Sequence, residues 1–267
     1  LRKMEPNSTD FIHLVTEAMK LAFADRAHWL GDADFAPVPR GLVDKTYAKE
    51  LAKRIRMDRA GKVAGHGQPP RSAEDLFNRH TTHFSCAGGG TWVACTATVN
   101  TSFGSKVIIP GTGVIMNNEM DDFSIQPGIP NAFGLIGAEA NAIAPGKRPL
   151  SSMSPTIVMK DGEPIMALGA AGGPTIITQT LLAIIHTIDF ELPLKDALAQ
   201  PRFHHQWSPD QVRIEKKVGQ KVLAALRARG HKLKIYDTMG ATQAVSLTKG
   251  KFEAAHDPRL QGRATIF

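Results

Sequence analysis

No run of eighteen apolar residues occurs in the chain, so no stretch of it reads as a membrane-spanning helix. The opening LRKMEPNSTD has no apolar core of the kind an export signal needs, and no signal peptide is read there. Aromatic residues are scarce at 6%, and no block of basic residues is interleaved with them. The net charge of +7 is scattered, with Arg54, Arg56 and Arg59 in one stretch and Lys216, Lys217 and Lys221 in another. That distribution reads as a solvated surface with some pull on small anions, not as a nucleic-acid footprint. Only two cysteines are present, Cys86 and Cys95, on either side of AGGGTWVA. Their spacing and neighbours do not suit a metal, and they are expected to be small buried hydrophobes on adjacent strands. No internal repeat is found. What the chain does have is 267 residues, 42% of them hydrophobic, enough for a real core in one large domain or two small ones.

The clearest helix is STDFIHLVTEAMKLAFADRAHWLG. Phe11, Val15, Ala18 and Ala22 are expected to share its inward face, widened by Ile12, Met19 and Phe23, with a cap at Ser8, Thr9 or Asp10 and a stop at Gly31. A second helix is expected over DKTYAKELAKRIRMDRAG, with Tyr47, Leu51 and Ile55 on one side. Residues 60–80 lose periodicity and read as an exposed, Gly- and Pro-rich loop that is easily strained or cut. THFSCA and TWVACTATVN read as a hairpin. SPTIVMK and EPIMALG read as another, turning at Asp161-Gly162. TIITQTLLAIIHTI is apolar nearly all round, as a buried helix is. QVRIE, HKLKIY, ATQAVSLTKG and KFEAAH read as strands, with a helix at GQKVLAALRARG. Adjacent hairpins with helices favour antiparallel sheets packed on helices, an α+β class, over a Rossmann winding.

The junction NRHTTHFS sets two hydroxyls where the loop gives way to a strand. Thr81 and Thr82 are good strand openers. The other reading is chemical. A threonine hydroxyl is a weak nucleophile that needs a base beside it. A free N-terminal amine, with a pKa of roughly 7.7–8.0, can be that base. Thr81 would gain one if its hydroxyl attacked the carbonyl of His80 and the resulting ester were hydrolysed.

TTH, followed in order by TATVNTSFGS, NNEMDDFS, KRPLSSMSPT and GAAGGPTIIT, resembles the γ-glutamyltranspeptidase family. ADRAHWLGD upstream and QPRFHHQW downstream resemble it too. The resemblance covers nearly the whole chain and is least specific over residues 60–78. It implies an αββα four-layer sandwich of the N-terminal-nucleophile hydrolase type. It also implies self-cleavage into residues 1–80, the end of a large subunit, and residues 81–267, a small catalytic subunit. Thr81 would be the nucleophile, and Thr98 the hydroxyl that supports its amine. Asn100 would lie near the substrate. Glu119 and Asp122 would grip the α-ammonium of a γ-glutamyl group, a three-proton cation that suits acceptor-only partners. Asp121 is expected to be structural. Ser151 and Ser152 would bond the α-carboxylate. Gly172 and Gly173, just before Pro174 and the buried helix, would offer amides to an oxyanion. The pair His204 and His205 would face opposite ways on a strand and is expected to be structural.

The implied activity is cleavage of glutathione and other γ-glutamyl compounds, passing the group to water, an amino acid or a peptide, without metal or organic cofactor. The chain begins close to the end of the family's large subunit. A fragment or a truncated relative is therefore expected. The segment before it would supply part of the sandwich and an arginine for the α-carboxylate, since no arginine here matches that motif. IQPGIPNAFGLIGAEANAI resembles the family's lid, with Phe133 where many bacterial members have tyrosine, so a lid without a hydrogen-bonded gate is expected. The resemblance implies a periplasmic or secreted location. Two other readings stand beside it: a glutaryl-type β-lactam acylase on the same fold, which the acids Glu119 and Asp122 disfavour, and a truncated non-catalytic homologue.

Overall fold

Ser8 opens the first helix, α1 (Thr9–Trp29), by accepting the Phe11 amide on its hydroxyl in the computed structural model, which describes residues 1–70 and 83–267. Phe11, Ile12, Val15, Met19 and Phe23 are buried against Leu182, Phe203, Ile214, Leu223 and Leu226. Ala18 and Ala22, expected on that face, are exposed. The helix instead buries a second, polar flank of His13, Glu17, Lys20 and Asp25.

The partner of that flank is a length of irregular chain. Helix α2 (Lys45–Ala52), capped by Asp44, stops well short of the expected end at residue 61. The residues after it lie along α1. His13 Nε2 bonds the Arg56 carbonyl at 2.7 Å, Glu17 accepts the Gly61 amide at 2.9 Å and Lys20 Nζ donates to the Gly61 carbonyl at 3.1 Å. Asp25 accepts the Gly67 amide at 2.6 Å. Peptide groups packed against protein need such partners, and the helix side chains supply them in place of a ladder. The exposed loop expected from residue 60 is thus corrected as far as Gly67. Residues 71–80 lie outside the described part.

The strands are β1 (His83–Gly88), β2 (Thr91–Thr96), β3 (Thr156–Lys160), β4 (Glu163–Ala171), β5 (Phe203–His204), β6 (Val212–Glu215), β7 (Leu233–Tyr236), β8 (Ala241–Thr248) and β9 (Lys251–Ala255). The remaining helices are α3 (Thr175–Ile184), α4 (Leu194–Ala199) and α5 (Gln220–Ala228). The second hairpin turns at Asp161-Gly162 as expected, both residues at positive φ. Its strands join an antiparallel sheet of order β3-β4-β8-β9. Met166 and Leu168 of β4 point to one face and pack with Ala183, Leu194 and Leu198 of α3 and α4. Gly169 points to the other, where the β1–β2 hairpin lies across the sheet. A Cβ there would sit 2.4 Å from His83 Nδ1, so only glycine lets the ring approach. Helices, large sheet and hairpin give three of the layers of an αββα sandwich. A helical layer over the hairpin is not seen among the described residues. That bare outer face carries Phe84 and Cys86, both exposed, and leaves Cys95 half-buried, so the cysteines are not the buried pair expected.

β5, β6 and β7 form a small sheet against α1 and α5. β6 and β7 pair in parallel, joined through α5, which corrects the reading of hairpins only. A helix between two strands is long enough for the crossover that parallel pairing requires. α4 has no counterpart among the expected elements, because it spans too few residues to show a period. Buried ions lock this region to the large sheet. Arg259 meets Glu215 at 2.6 Å, Arg202 meets Asp257, and Glu215 also accepts the Met239 amide at 2.7 Å. Replacing Glu215 by alanine leaves buried guanidinium and amide donors unpaired. Denaturant unfolding should show a loss of about 3–5 kcal/mol; a loss under about 1 kcal/mol would contradict this role.

Candidate active site

Past Thr96 the chain leaves β2, so Thr98 is not the strand residue expected. Its Oγ1 accepts the Asn100 amide at 2.8 Å, and Asn100 sits at φ 74. Asn118 then does the joining. Its carbonyl accepts Asn100 Nδ2 at 3.0 Å, its Oδ1 accepts the Thr101 amide at 3.0 Å, and its Nδ2 donates to Asp121 at 2.7 Å. Asp121 is therefore used inside its own turn, in line with its expected structural role. The turn itself, Glu119–Asp122, is a single 3-10 turn, and burial pushes the Glu119 carboxyl above its ordinary range.

A second amide ties this acidic turn to the serines. Buried Asn141 donates to the Asp122 carbonyl at 2.8 Å and accepts the Leu150 amide at 2.9 Å. Ser151 Oγ accepts the Met153 amide at 3.2 Å. Ser152 Oγ accepts Arg26 Nη2 at 3.0 Å. Burial pulls the Arg26 guanidinium down to about 10, while neighbouring Asp122 pushes it back up, so it stays charged at neutral pH.

Arg26 belongs to ADRAHWLGD, and two more residues of that stretch hold the same region. Gly31 lies so close to the Ala140 carbonyl that a Cβ would come within 1.9 Å of its oxygen. Asp32, side chain buried, takes the Arg148 guanidinium through both oxygens, at 2.9 and 2.5 Å, and the Arg148 amide at 2.9 Å. Those bonds hold the Asp32 carboxyl well below the usual carboxylate range. The sequence reading gave ADRAHWLGD no residue roles. The available signal was charge alone, with Arg26 near the end of α1 and Asp32 just after it.

Gly172 and Gly173 turn the chain from β4 into α3 at φ 141 and 59. A Cβ on Gly172 would meet Thr175 Oγ1 at 2.7 Å and Gln179 Nε2 at 2.8 Å. Gln179 braces the turn by donating to the Ala171 carbonyl at 3.1 Å and to Thr175 Oγ1 at 2.8 Å. Neither glycine amide has an acceptor among the described residues. Amides at a helix start, partly positive and not taken up, suit an oxyanion. The Phe133 ring lies against Gly173, with a Cβ there 3.1 Å away. Phe133 and Asn141 belong to one loop, so the segment expected as a lid touches both the glycine turn and the acid–serine unit.

Thr81 lies outside the described residues. The register sets His83 opposite Thr96, so Thr98 lies two residues beyond the paired stretch, on the side from which the chain enters β1. His83 bonds Thr96 Oγ1 at 2.8 Å and Ser85 Oγ at 2.7 Å, and burial lowers it to about 4. His204 is held by Thr178 and Gln206, and His205 by Asp210 and the Trp207 amide, which suits the structural role expected of both. Among the described residues His13, Glu17 and His231 have a spacing that suits a metal. The two rings already bond each other at 2.7 Å, and the Lys20 ammonium stands 2.8 Å from Glu17, so a cation of the protein's own fills that place.

The family model for gamma-glutamyltranspeptidase matches residues 1–267. The glutathione hydrolase proenzyme of Escherichia coli (strain K12) is 43% identical over 262 residues, 97% of this chain and 45% of that relative. The chain thus spans somewhat under half the length of this curated relative. An acivicin-inhibited gamma-glutamyltranspeptidase, whose C-terminus is described as critical in autoprocessing and catalysis, superposes with a TM-score of 0.64 at 45% identity, over 67% of this chain and 98% of that one. A cephalosporin acylase from Bacillus halodurans is a more distant relative at 28% identity, with a TM-score of 0.81 over 97% of this chain and 45% of its own.

The Asp32–Arg148 clamp makes a prediction about acid. A carboxylate with a lowered folded pKa stabilises above its unfolded pKa, and that contribution fades as pH falls. The melting temperature of Asp32→Asn should lie below the parent's at neutral pH, with the gap closing below about pH 4. A gap that stays constant down to acid would contradict the clamp.

Proposed function

The chain belongs to the gamma-glutamyltranspeptidase family, and on that premise we propose that it cleaves itself between His80 and Thr81 and then transfers γ-glutamyl groups from compounds such as glutathione. The observation that carries this reading is the hydrogen-bonded unit running from Thr98 through Asn118, the acidic turn and Asn141 to Ser152. It ties the turn that carries Glu119 and Asp122 to the segment that carries Ser151 and Ser152, through a loop that also touches the glycine turn, and this supports acceptors for an ammonium near hydroxyls for a carboxylate. An α-amino-acid head group needs that pairing of chemistries.

In the proposed cycle the freed amine of Thr81 takes the proton of the Thr81 hydroxyl as the oxygen attacks the γ-carbonyl. The amides of Gly172 and Gly173 hold the oxyanion, and losing one such donor typically costs about 3 kcal/mol in the transition state. The proton passes to the departing amine, leaving a γ-glutamyl ester on Thr81. Water releases glutamate, or an amino acid or peptide accepts the group. Glu119 and Asp122 hold the α-ammonium, Ser151 and Ser152 the α-carboxylate, and Asn100 lies at the edge of the head group. Thr98 supports the amine. Residues 1–80 and 81–267 are the two products of cleavage. The curated Escherichia coli relative is more than twice as long, and in this reading a corresponding upstream segment completes the sandwich and brings the further arginine. A periplasmic or secreted site of action is part of the same reading.

The acylase reading shares the fold but has no ammonium to satisfy, which leaves Glu119 and Asp122 without a purpose. Mass spectrometry of the purified protein should show fragments ending at His80 and beginning at Thr81, with turnover of a γ-glutamyl anilide. Thr81→Ala should stay whole and inactive. An intact parent without turnover would overturn the proposal, and turnover of a glutaryl but not a γ-glutamyl anilide would move it to the acylase.

A further inference from the structure

Arg26 is given no role by the sequence motifs or the comparisons, yet it stands between the two halves of the proposed head-group pocket. Its Nη2 donates to Ser152 Oγ at 3.0 Å. It lines the same small cavity as Asp122, with Asn141 and Leu150. We infer that Arg26 is the positioning residue for the α-amino-acid head of the substrate, acting through Ser152 and Asp122; this rests on the γ-glutamyl reading above.

A guanidinium only donates. When it gives an N–H to Ser152 Oγ it occupies a lone pair of that oxygen and leaves the hydroxyl proton to be given elsewhere. Ser152 is thereby set as a donor, which is what a carboxylate requires. The peptide group of Ser152 is fixed separately, its carbonyl accepting Ser154 Oγ at 3.2 Å. Arg26 also lines one cavity with Asp122, and the two act on each other electrostatically. A fixed cation there favours the ionised carboxylate, the form that accepts from an ammonium. One guanidinium thus orders the hydroxyl for the negative end of the substrate and the acid for the positive end.

The placement of Arg26 is itself determined. It projects from α1, one turn after Phe23, whose ring lies 6.0 Å from the guanidinium carbon. The neighbouring Asp32–Arg148 clamp and the Asn141 bonds hold the serine segment independently. Removal of Arg26 therefore leaves that segment docked and changes mainly the direction of its hydroxyl.

Calorimetric binding of L-glutamate to the processed protein tests this, in the parent, Arg26→Met, Ser152→Ala and the double variant. Arg26→Met should weaken glutamate by about tenfold, the size expected of a hydrogen bond to a charged group. KM for a γ-glutamyl anilide should rise by a similar factor, with kcat changing far less. Because Arg26 acts through Ser152, adding Ser152→Ala to Arg26→Met should cost less than about twofold more. Arg26→Gln serves in the same cycle should the methionine variant fail to fold. Unchanged affinity on removing Arg26, or losses that simply multiply, would overturn the positioning role while leaving the γ-glutamyl reading intact. A parent that binds no glutamate would overturn that reading, and this role with it.

Discussion

Between β2 and β3 the chain has two short 3-10 turns and isolated bridges, such as Ile108 with Ile115 and Ser124 with Ala142, and side chains must replace the missing ladder. Three asparagines take a large part in that. Asn118 gathers residues 100–121, Asn131 accepts the amides of Phe133 and Leu135, and Asn141 links the acidic turn to the serines. An amide side chain both donates and accepts, so one residue can bridge two peptide groups that run in different directions. The expected substrate contacts lie on this lattice, and their relative placement depends on it.

The lattice rests on α1. Its apolar face packs in the core, and its polar flank holds residues 56–67 on one side while Arg26, Gly31 and Asp32 meet the 140–152 region on the other. Burying charged groups in a helix flank is costly unless each is paired. Here Lys20 finds Glu17, Asp25 finds Tyr47 and the Gly67 amide, and Asp32 finds Arg148. Residues 56–67, which would precede the proposed scissile bond, are thus bound to the same helix whose Arg26 meets Ser152.

Regular elements were legible in the sequence wherever period and turn chemistry agreed: α1 from its apolar repeat and Ser8, the second hairpin from Asp161-Gly162, the buried helix after Gly173. The failures share a cause. Ala18 and Ala22 fit the apolar repeat, but the side that faces protein was chosen by a polar partner with no period of its own. The second helix ends at Ala52, short of its expected bound, because His13 and Glu17 take peptide groups of the residues beyond it, which nothing in its own sequence shows. The cysteines depend on what covers the hairpin. The candidate site was legible only as short ordered motifs that resemble a family, since each residue type alone fits an ordinary strand or turn. Its scaffold was not. Asn118, Asn141 and Gln179 look like ordinary polar residues until the fold brings distant segments to them, and Arg26 looked like one more charge on a helix.

On the proposed reading, the acidic turn and the serine segment form one receptor for an α-amino-acid head group, oriented toward the glycine amides. A crystal structure of the processed protein with L-glutamate tests it most directly. The account predicts the α-ammonium on Glu119 and Asp122, the α-carboxylate on Ser151 and Ser152 with the Arg26 contact to Ser152 retained, and the γ-carboxyl at the amides of Gly172 and Gly173. Glutamate bound away from these turns, or with its head group reversed between acids and serines, would contradict it.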